Sequence, residues 1–298
     1  MSDLALAWWN TSLSPARVPT VREARRVEVG KSLAKLITMT LGVDLLALGE
    51  ISSEDVADFR ADTAFAEYQL YDGTAAAGRS RFDLCVLYRT ARLRVLSSRH
   101  LVVLKGGQTL KIGLQLNFEV AGYDKPLHLF ASHWPSRLRV DKNHPDRALI
   151  GVRMRGYIEE ILSSNADADI VLLGDFNDEP FDDSLSQFLM ATRDRALVSK
   201  RKHLLYNPFW RHMTGTDSVS PRETGRAGSY YHRGGDLTKW RTFDQIIFSS
   251  SFVREVGWKL NEERTTVLDI PDYRDVVVRG DLLFDHLPIL AVISRSNL

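Results

Sequence analysis

Short β-rich segments dominate the middle of this 298-residue chain and limit the folds open to it. Residues 82–133 contain four such segments with turn residues between them, a pattern typical of successive antiparallel strands. Segments with helical periodicity lie on either side, including one that Thr20 and Glu23 would cap and one that opens at Pro145. This order of elements predicts a layered α/β protein in which sheet packs on sheet with helices outside.

The composition is that of an ordinary globular protein, with 44% hydrophobic and 26% charged residues. No low-complexity linker, short repeat or shift in composition divides the chain, which predicts a single domain over residues 1–298. The net charge is only +1, from 39 Lys and Arg against 38 Asp and Glu. Proteins that bind nucleic acid through bulk charge are usually more basic. A polyanionic substrate would therefore need a local cationic patch.

The single cysteine and the hydrophobic segments indicate in which cellular compartment the protein is expected. Cys85 lies among apolar residues in FDLCVLY and is expected in the core, and a lone thiol makes no internal disulfide. The amino-terminal MSDLALAWWN lacks the basic start and longer apolar stretch of a signal peptide. No segment approaches the roughly 18 uncharged apolar residues of a membrane span. We therefore expect a cytoplasmic protein without membrane association.

The stretch VLLGDFNDEP, residues 171–180, presents acidic and amide side chains directly after a short aliphatic strand. Asp175 and Asn177 follow Gly174, which ends that strand, and Phe181 to Thr192 is predicted to be helical. Asp and Asn also suit a plain turn, because their side chains bond to nearby backbone. However, functional sites collect at the carboxyl ends of strands in α/β folds. The stretch alone leaves both interpretations open.

Polar side chains end several other predicted strands in the same way. They are Asn10, Glu50, His133, Asp285 and His286, with Asp244 near the start of its strand. Each has a local explanation as a turn residue, a cap or a salt bridge, such as one between Asp244 and Arg241. Their recurrence in a chain with only 8 histidines favours a shared site for metal or phosphate.

In this order, these residues resemble the motif set of the endonuclease/exonuclease/phosphatase superfamily, which has the deoxyribonuclease I-like fold. The resemblance spans residues 10–290 and is most specific in GDFN, with Asp175 and Asn177, and in FDHLP, with Asp285 and His286. It implies an α/β (α+β) four-layer sandwich, with two packed, mostly antiparallel β-sheets flanked by helices. That fold agrees with the order of elements predicted from the strand and helix patterns.

The resemblance also implies a metal-dependent phosphoesterase that uses Mg²⁺ or Mn²⁺. Glu50 would be the first metal ligand, with Asp285 and Asn10 supporting it directly or through water, since Mg²⁺ prefers oxygen ligands. Asp175 would orient or deprotonate the attacking water, and Asn177 would hold the phosphate or the water.

Two histidines complete the implied site. His286 would pair with Asp244, and His133 would donate to a non-bridging phosphate oxygen. The sequence leaves open whether His286 acts as base, acid or electrostatic clamp.

The substrate contacts are predicted where cations lie beside aromatic residues in the sequence. Cations suit a phosphate backbone and aromatic rings suit a stacked base. A hairpin that packs its own aromatic side chains explains the segment GSYYHRGGDLTKWRTFDQ equally well. The candidates are Arg137, Tyr231, Arg233, Lys239 and Arg241.

Three functions stay open. The cation-rich segments favour a nuclease acting on DNA or RNA, whereas the near-neutral charge favours a phosphatase or phosphodiesterase for a small molecule or lipid headgroup. A non-catalytic binding protein on this fold would lack some of the family's site residues, whereas all of them are present in this sequence. Residues 242–245 lack the Trp-Cys-Asp-Arg motif of inositol-polyphosphate 5-phosphatases. Tyr88 is a candidate for the catalytic tyrosine of exonuclease III-type enzymes, which are usually more basic.

Overall fold

Strands make up most of the regular structure in the computed structural model, which describes residues 2–15, 24–137, 139–215, 227–234 and 237–295. The strands in chain order are β1 (Ser2–Asn10), β2 (Leu45–Gly49), β3 (Tyr68–Asp72), β4 (Ala75–Ala77), β5 (Ser80–Phe82), β6 (Leu84–Arg89), β7 (Leu93–Lys105), β8 (Gln108–Val120), β9 (Leu127–His133), β10 (Asp169–Asp175), β11 (Ala191–Thr192), β12 (Leu205–Tyr206), β13 (Tyr230–Tyr231), β14 (Trp240–Arg241), β15 (Asp244–Ser249), β16 (Lys259–Val267) and β17 (Ile289–Arg295).

Helices connect several of these strands. They are α1 (Ala24–Lys35), α2 (Ser53–Ala61), α3 (Pro145–Ser164), α4 (Arg195–Lys200), α5 (Ser250–Arg254) and α6 (Pro271–Arg279). Shorter π- and 3₁₀-helical turns span Leu36–Thr40, Thr63–Phe65, Ser184–Phe188, Pro208–Met213 and Asp281–Leu283. Among the described helices, none has the length and apolar composition needed to cross a membrane.

Two sheets form the centre of the fold. One has the strand order β16-β17-β1-β2-β6-β3 and the other β11-β12-β15-β10-β9-β8-β7. Neighbouring strands are antiparallel except in the pairs β1–β2, β9–β10 and β11–β12, which are parallel. The first two of these pairs are joined through α1 and α3, because a parallel pair needs a long crossover connection. The prediction of two mostly antiparallel sheets flanked by helices is confirmed.

The alternation of side chains along β10 shows how the layers pack. Val171 and Leu173 belong to the main core between the two sheets. Ile170 and Leu172 belong to a second core with Met154 and other apolar residues of α3. Both faces of β10 are therefore buried, which explains its unbroken aliphatic sequence.

The strand register brings the polar strand ends to one edge of the structure. Asn10 lies opposite Gly49 in the parallel pair β1–β2, and His133 lies opposite Asp175 in the parallel pair β9–β10. Because β15 runs antiparallel to β10, its first residue, Asp244, also lies opposite Asp175. The segment before β17 reaches the same edge, since β17 is antiparallel to β1.

One of the sequence-based elements differs from the structure. The helix predicted from Phe181 to Thr192 is wrong: only Ser184–Phe188 is helical, and β11 follows. Met190 adopts a left-handed backbone conformation, with φ of +64°, which turns the chain into the strand pairing with β12. The proposed cap at Thr20 and Glu23 lies outside the described residues. Cys85 is buried in β6, as expected.

The close approach of β9 and β10 generates a stability prediction at Gly174. A Cβ atom there would lie 2.1 Å from the Ser132 carbonyl oxygen, which is backbone and cannot move aside. We expect Gly174→Ala to lower the free energy of unfolding by about 2 kcal/mol or more, as overpacking does. Denaturant unfolding of the purified variant measures this change.

Gly156 in α3 provides the matched control, because a Cβ atom added there would meet no heavy atom within 4 Å. Gly156→Ala should raise stability by about 0.5–1 kcal/mol, the usual gain for removing a glycine from a helix interior. Equal stabilities for the two variants would contradict the tight spacing of β9 and β10.

Candidate active site

A cleft of about 870 Å³ opens at the edge where the polar strand ends meet. Its floor contains Glu50, His133, Asp175, Asn177, Asp285 and His286. Asn10 and Asp244 are buried beneath the floor, with 1% and 0% of their surface exposed. The structure therefore brings all eight residues predicted for catalysis or metal binding into one region.

Asp175 lies at the centre of this group. One carboxylate oxygen, Oδ2, accepts a hydrogen bond from Asn10 Nδ2 at 3.1 Å and lies 3.6 Å from His286 Nε2 and 3.9 Å from His133 Nε2. Burial raises the pKa of Asp175, although the two histidine charges oppose that effect. A carboxylate with a raised pKa, held between two imidazole nitrogens, is suited to accept a proton from water.

His286 is held by the buried carboxylate of Asp244. Its Nδ1 donates to Asp244 Oδ2 at 2.7 Å, and Asp244 also accepts hydrogen bonds from Trp8 Nε1 and Ser229 Oγ, each at 2.7 Å. Burial lowers the pKa of His286, but the surrounding carboxylates, Asp244 foremost, outweigh it and hold that pKa well above its ordinary value. The surrounding carboxylates therefore favour the imidazolium form of the ring, whose Nε2 lies 3.6 Å from Asp175 Oδ2.

His133 is held in the same way by Asp83. Its Nδ1 donates to Asp83 Oδ2 at 2.7 Å, and Lys111 Nζ donates to the other Asp83 oxygen at 2.7 Å. Burial lowers the pKa of His133, but the charge and hydrogen bond of Asp83 raise it to about 9. The charges of His133 and Lys111 overcome the effect of burial on Asp83 and hold the pKa of that carboxyl well below its usual range.

Asp83 and Lys111 were missed by the sequence reasoning. They lie just before β6 and within β8, 28 residues apart, and neither belongs to a local motif. Only the packing of these strands reveals that they meet behind His133.

No described residue donates a hydrogen bond to the carboxylate of Glu50. His133 Nε2 lies 3.9 Å from Glu50 Oε1. Burial raises the pKa of Glu50 to about 7, and the charge of Asp285 adds to the effect while His133 opposes it. Asp285 Oδ1 accepts a hydrogen bond from Ser12 Oγ at 3.0 Å. Two carboxylates with free oxygens suit a hard divalent cation such as Mg²⁺.

A second group could hold a metal on geometry alone. Ligand atoms of Asp175, Asp244 and His286 all lie within 4.8 Å of one another. However, both oxygens of Asp244 are already engaged by the three donors described above. Because these bonds would be lost on metal binding, the donor chemistry favours Glu50 and Asp285 over Asp244.

The backbone is strained where these residues meet. Ser12, Glu50 and Asn177 have φ values of +48°, +51° and +51°, in the left-handed region that non-glycine residues rarely adopt. Such outliers persist where the surrounding structure enforces them, and they cluster at functional sites. At Asn177 the turn is held by hydrogen bonds from its backbone N–H to Asp175 Oδ1 and from its side chain to the Trp134 carbonyl.

Of the predicted substrate contacts, only Arg233 lies among the described residues that line the cleft. Arg137 instead pairs with Asp178 and Asp182 and stabilises the turn that follows β10. Tyr231 is buried against Trp240, with ring centroids 4.9 Å apart.

Lys239 is exposed outside the cleft lining, and Arg241 lies 3.9 Å from Glu179, also outside that lining. The adjacent tyrosine, Tyr230, lines the cleft and packs on His286 at 4.7 Å, because successive residues of a strand face opposite sides. Tyr88 is buried against Phe118, so it does not supply a catalytic tyrosine to this cleft.

Comparison with known proteins identifies related sequences and folds. The model of the endonuclease/exonuclease/phosphatase family matches residues 22–274. The human Nocturnin catalytic domain with bound sulfate anion is 14% identical, with a TM-score of 0.61 over 99% of this chain and 95% of that chain. D. rerio TDP2 complexed with single strand DNA product is 15% identical, with a TM-score of 0.62 over 99% and 100%.

A third similar structure is an endonuclease/exonuclease/phosphatase from Bacteroides vulgatus, 12% identical, with a TM-score of 0.62 over 99% of this chain and 100% of that chain. At such identities the structural likeness shows a shared fold. No curated protein matches the sequence.

The Asp83–His133 pair generates a prediction for histidine titration in metal-free protein. His133 should titrate near pH 9 in the wild type, and Asp83→Asn should bring its pKa down towards or below 6.5, because burial is then less opposed. Ring-nitrogen NMR follows both titrations, with exposed His203 as the internal reference.

The same pair has a consequence for stability. The folded-state pKa of His133 lies above the unfolded value of 6.5, so its contribution is fully present below pH 6.5 and is lost as the pH rises through about 9. The wild type should therefore lose more stability than Asp83→Asn over this window. Identical titration of His133 in both proteins would contradict the assigned pairing.

Proposed function

The chain belongs to the endonuclease/exonuclease/phosphatase family, and on this premise we propose that its cleft hydrolyses phosphodiester bonds of DNA or RNA with a divalent metal, Mg²⁺ or Mn²⁺. The observation that carries the proposal is the position of Asp175 between two histidines, with its Oδ2 3.6 Å from His286 Nε2 and 3.9 Å from His133 Nε2. A carboxylate beside two cations can activate water while the cations stabilise a phosphate group undergoing attack.

The positions and hydrogen bonds of the site residues suggest a catalytic role for each. Asp175, oriented by Asn10, accepts the proton of the water that attacks phosphorus in line with the leaving oxygen. The carboxylates around His286, Asp244 foremost, hold its pKa well above the ordinary value, which favours a proton-donating role over that of general base. We assign it, with His133, to donate hydrogen bonds to phosphate oxygens and to return a proton to the leaving alkoxide. Asn177 positions Asp175 through its backbone N–H.

Glu50 and Asp285 would hold the metal, with Asn10 supporting the arrangement from beneath the floor. When bound, the ion supplies positive charge that neutralises phosphate oxygens and stabilises the leaving group. Burial raises the pKa of Glu50 to about 7, and a bound cation would favour the ionised carboxylate that metal ligation requires.

The cleft lining favours a polyanionic substrate. It contains the cations Arg79, Lys111, Arg139 and Arg233, although the whole chain carries a net charge of only +1. Two of these cations, Arg79 and Arg139, make no ion pair with the described residues and supply local positive charge for a polyanion. A related structure, D. rerio TDP2, is complexed with a single strand DNA product, which supports a nucleic-acid substrate here.

A cleavage screen tests this function. Purified protein is incubated with single- and double-stranded DNA, RNA and bis-p-nitrophenyl phosphate, with Mg²⁺, Mn²⁺ or EDTA. We expect metal-dependent cutting of nucleic acid, and a loss of about 10³-fold or more in Asp175→Ala and His286→Ala, as for removal of acid–base groups. Both variants should unfold cooperatively like the wild type.

Asp183→Ala and His203→Ala are the matched controls, because both side chains are exposed outside the cleft lining. They should retain wild-type activity. Hydrolysis of the small diester alone would favour a small-molecule phosphodiesterase, and inertness towards every substrate would favour a binding protein. Wild-type rates from Asp175→Ala would overturn the site assignment.

A further inference from the structure

Two arginines on the cleft wall have no described partner for their charge. Arg79 and Arg139 both line the cleft and are exposed, and neither makes an ion pair or side-chain hydrogen bond with another residue in the described ranges. The acidic wall residues nearby are already neutralised, Asp83 by Lys111 and Asp146 by Lys105. The wall therefore keeps two uncompensated positive charges.

The backbone of Arg79 is fixed in place. Arg79 and Gly78 form the two-residue turn between β4 and β5, in which Ala77 pairs with Ser80. Gly78 has φ of +60°, and a Cβ atom there would lie 2.6 Å from Thr109 Oγ1 on β8. The turn is thus packed directly on the neighbouring hairpin, which fixes the point from which the guanidinium of Arg79 extends.

The loop that carries Arg139 is fixed by a buried cation, Arg147, which is 2% exposed. Arg147 donates to the carbonyl oxygens of Pro135 at 2.9 Å and Val140 at 2.7 Å, on either side of Arg139. Its other amino group lies 3.3 Å from Asp178, beneath the turn that carries Asp175. A buried charge thus ties the Arg139 loop to the catalytic turn.

The other cations of the cleft are committed to the protein itself. Lys111 is paired with Asp83, and Arg233 donates to the carbonyls of Val277 and Phe284. Among the described residues of the lining, only Arg79 and Arg139 present guanidinium groups that make no ion pair or side-chain hydrogen bond with another described residue. Guanidinium matches phosphate in charge and hydrogen-bond geometry.

We infer that Arg79 and Arg139 form a strand-binding site for phosphates adjacent to the bond that is cut, so that the preferred substrate is a nucleic-acid strand with several phosphates. This inference rests on the proposed function and narrows it. A lone phosphodiester would reach only the floor, whereas a strand would also contact the wall.

Comparison of a strand with a small diester tests the inference. Wild type, Arg79→Glu and Arg139→Glu are assayed on a single-stranded oligonucleotide of about ten nucleotides and on bis-p-nitrophenyl phosphate. Each variant should lower the ratio of kcat/KM for the oligonucleotide to kcat/KM for the small diester by about tenfold, mainly by raising KM for the oligonucleotide. Each should also reduce the slope of log kcat/KM for the oligonucleotide against log salt concentration by about one.

Arg153→Glu is the matched control, because Arg153 is exposed on α3 outside the cleft lining. It makes the same change in net charge and should leave the ratio within about twofold of wild type, since distant exposed charges are screened. An unchanged ratio in Arg79→Glu and Arg139→Glu, or an equal fall in Arg153→Glu, would overturn the strand site while leaving a phosphoesterase in place. A wild type that hydrolyses neither substrate would instead overturn the proposed function itself.

Discussion

A buried carboxylate, Asp244, links the two sheets at the site. It lies at the start of β15 in one sheet and accepts hydrogen bonds from Trp8 in β1 of the other, and from Ser229 and His286. A carboxyl group with no exposed surface is tolerated only when its oxygens are hydrogen-bonded, as both oxygens of Asp244 are. The packing of the two sheets is therefore coupled to the orientation of His286, so fold and chemistry depend on the same hydrogen bonds.

The charges of the site form a repeating pattern around Asp175. Asp83 stands behind His133 and Asp244 stands behind His286, and each pairing raises the pKa of its histidine. The two imidazolium rings then face one central carboxylate. This arrangement keeps positive charge in a partly buried cleft, where a phosphate group would otherwise lose its hydration without compensation. The left-handed backbone at the ends of the strands is the conformational cost of holding these groups together.

Most of the fold and the floor of the site could be predicted from sequence, because the catalytic candidates lie at or within a few residues of strand ends and occur in the order of the family motifs. The wall could not, because its contacts depend on packing between distant strands, as with Asp83 and Lys111. The sequence predicts Tyr231 as a substrate contact, whereas the structure places Tyr230 in the cleft lining, since a two-residue strand gives no alternation to set the face. The helix predicted from Phe181 to Thr192 is wrong because hydrophobic periodicity does not reveal a residue with a left-handed backbone, such as Met190.

The origin of the oxygen transferred to phosphorus tests the central claim most directly. Bis-p-nitrophenyl phosphate is hydrolysed in H₂¹⁸O under single-turnover conditions, and the products are analysed by ³¹P NMR and mass spectrometry. If Asp175 activates a water that attacks phosphorus, the phosphomonoester product carries one ¹⁸O atom and the released p-nitrophenol carries none. Label in the phenol, or an unlabelled phosphomonoester indicating a nucleophile from the protein, would contradict the assigned mechanism.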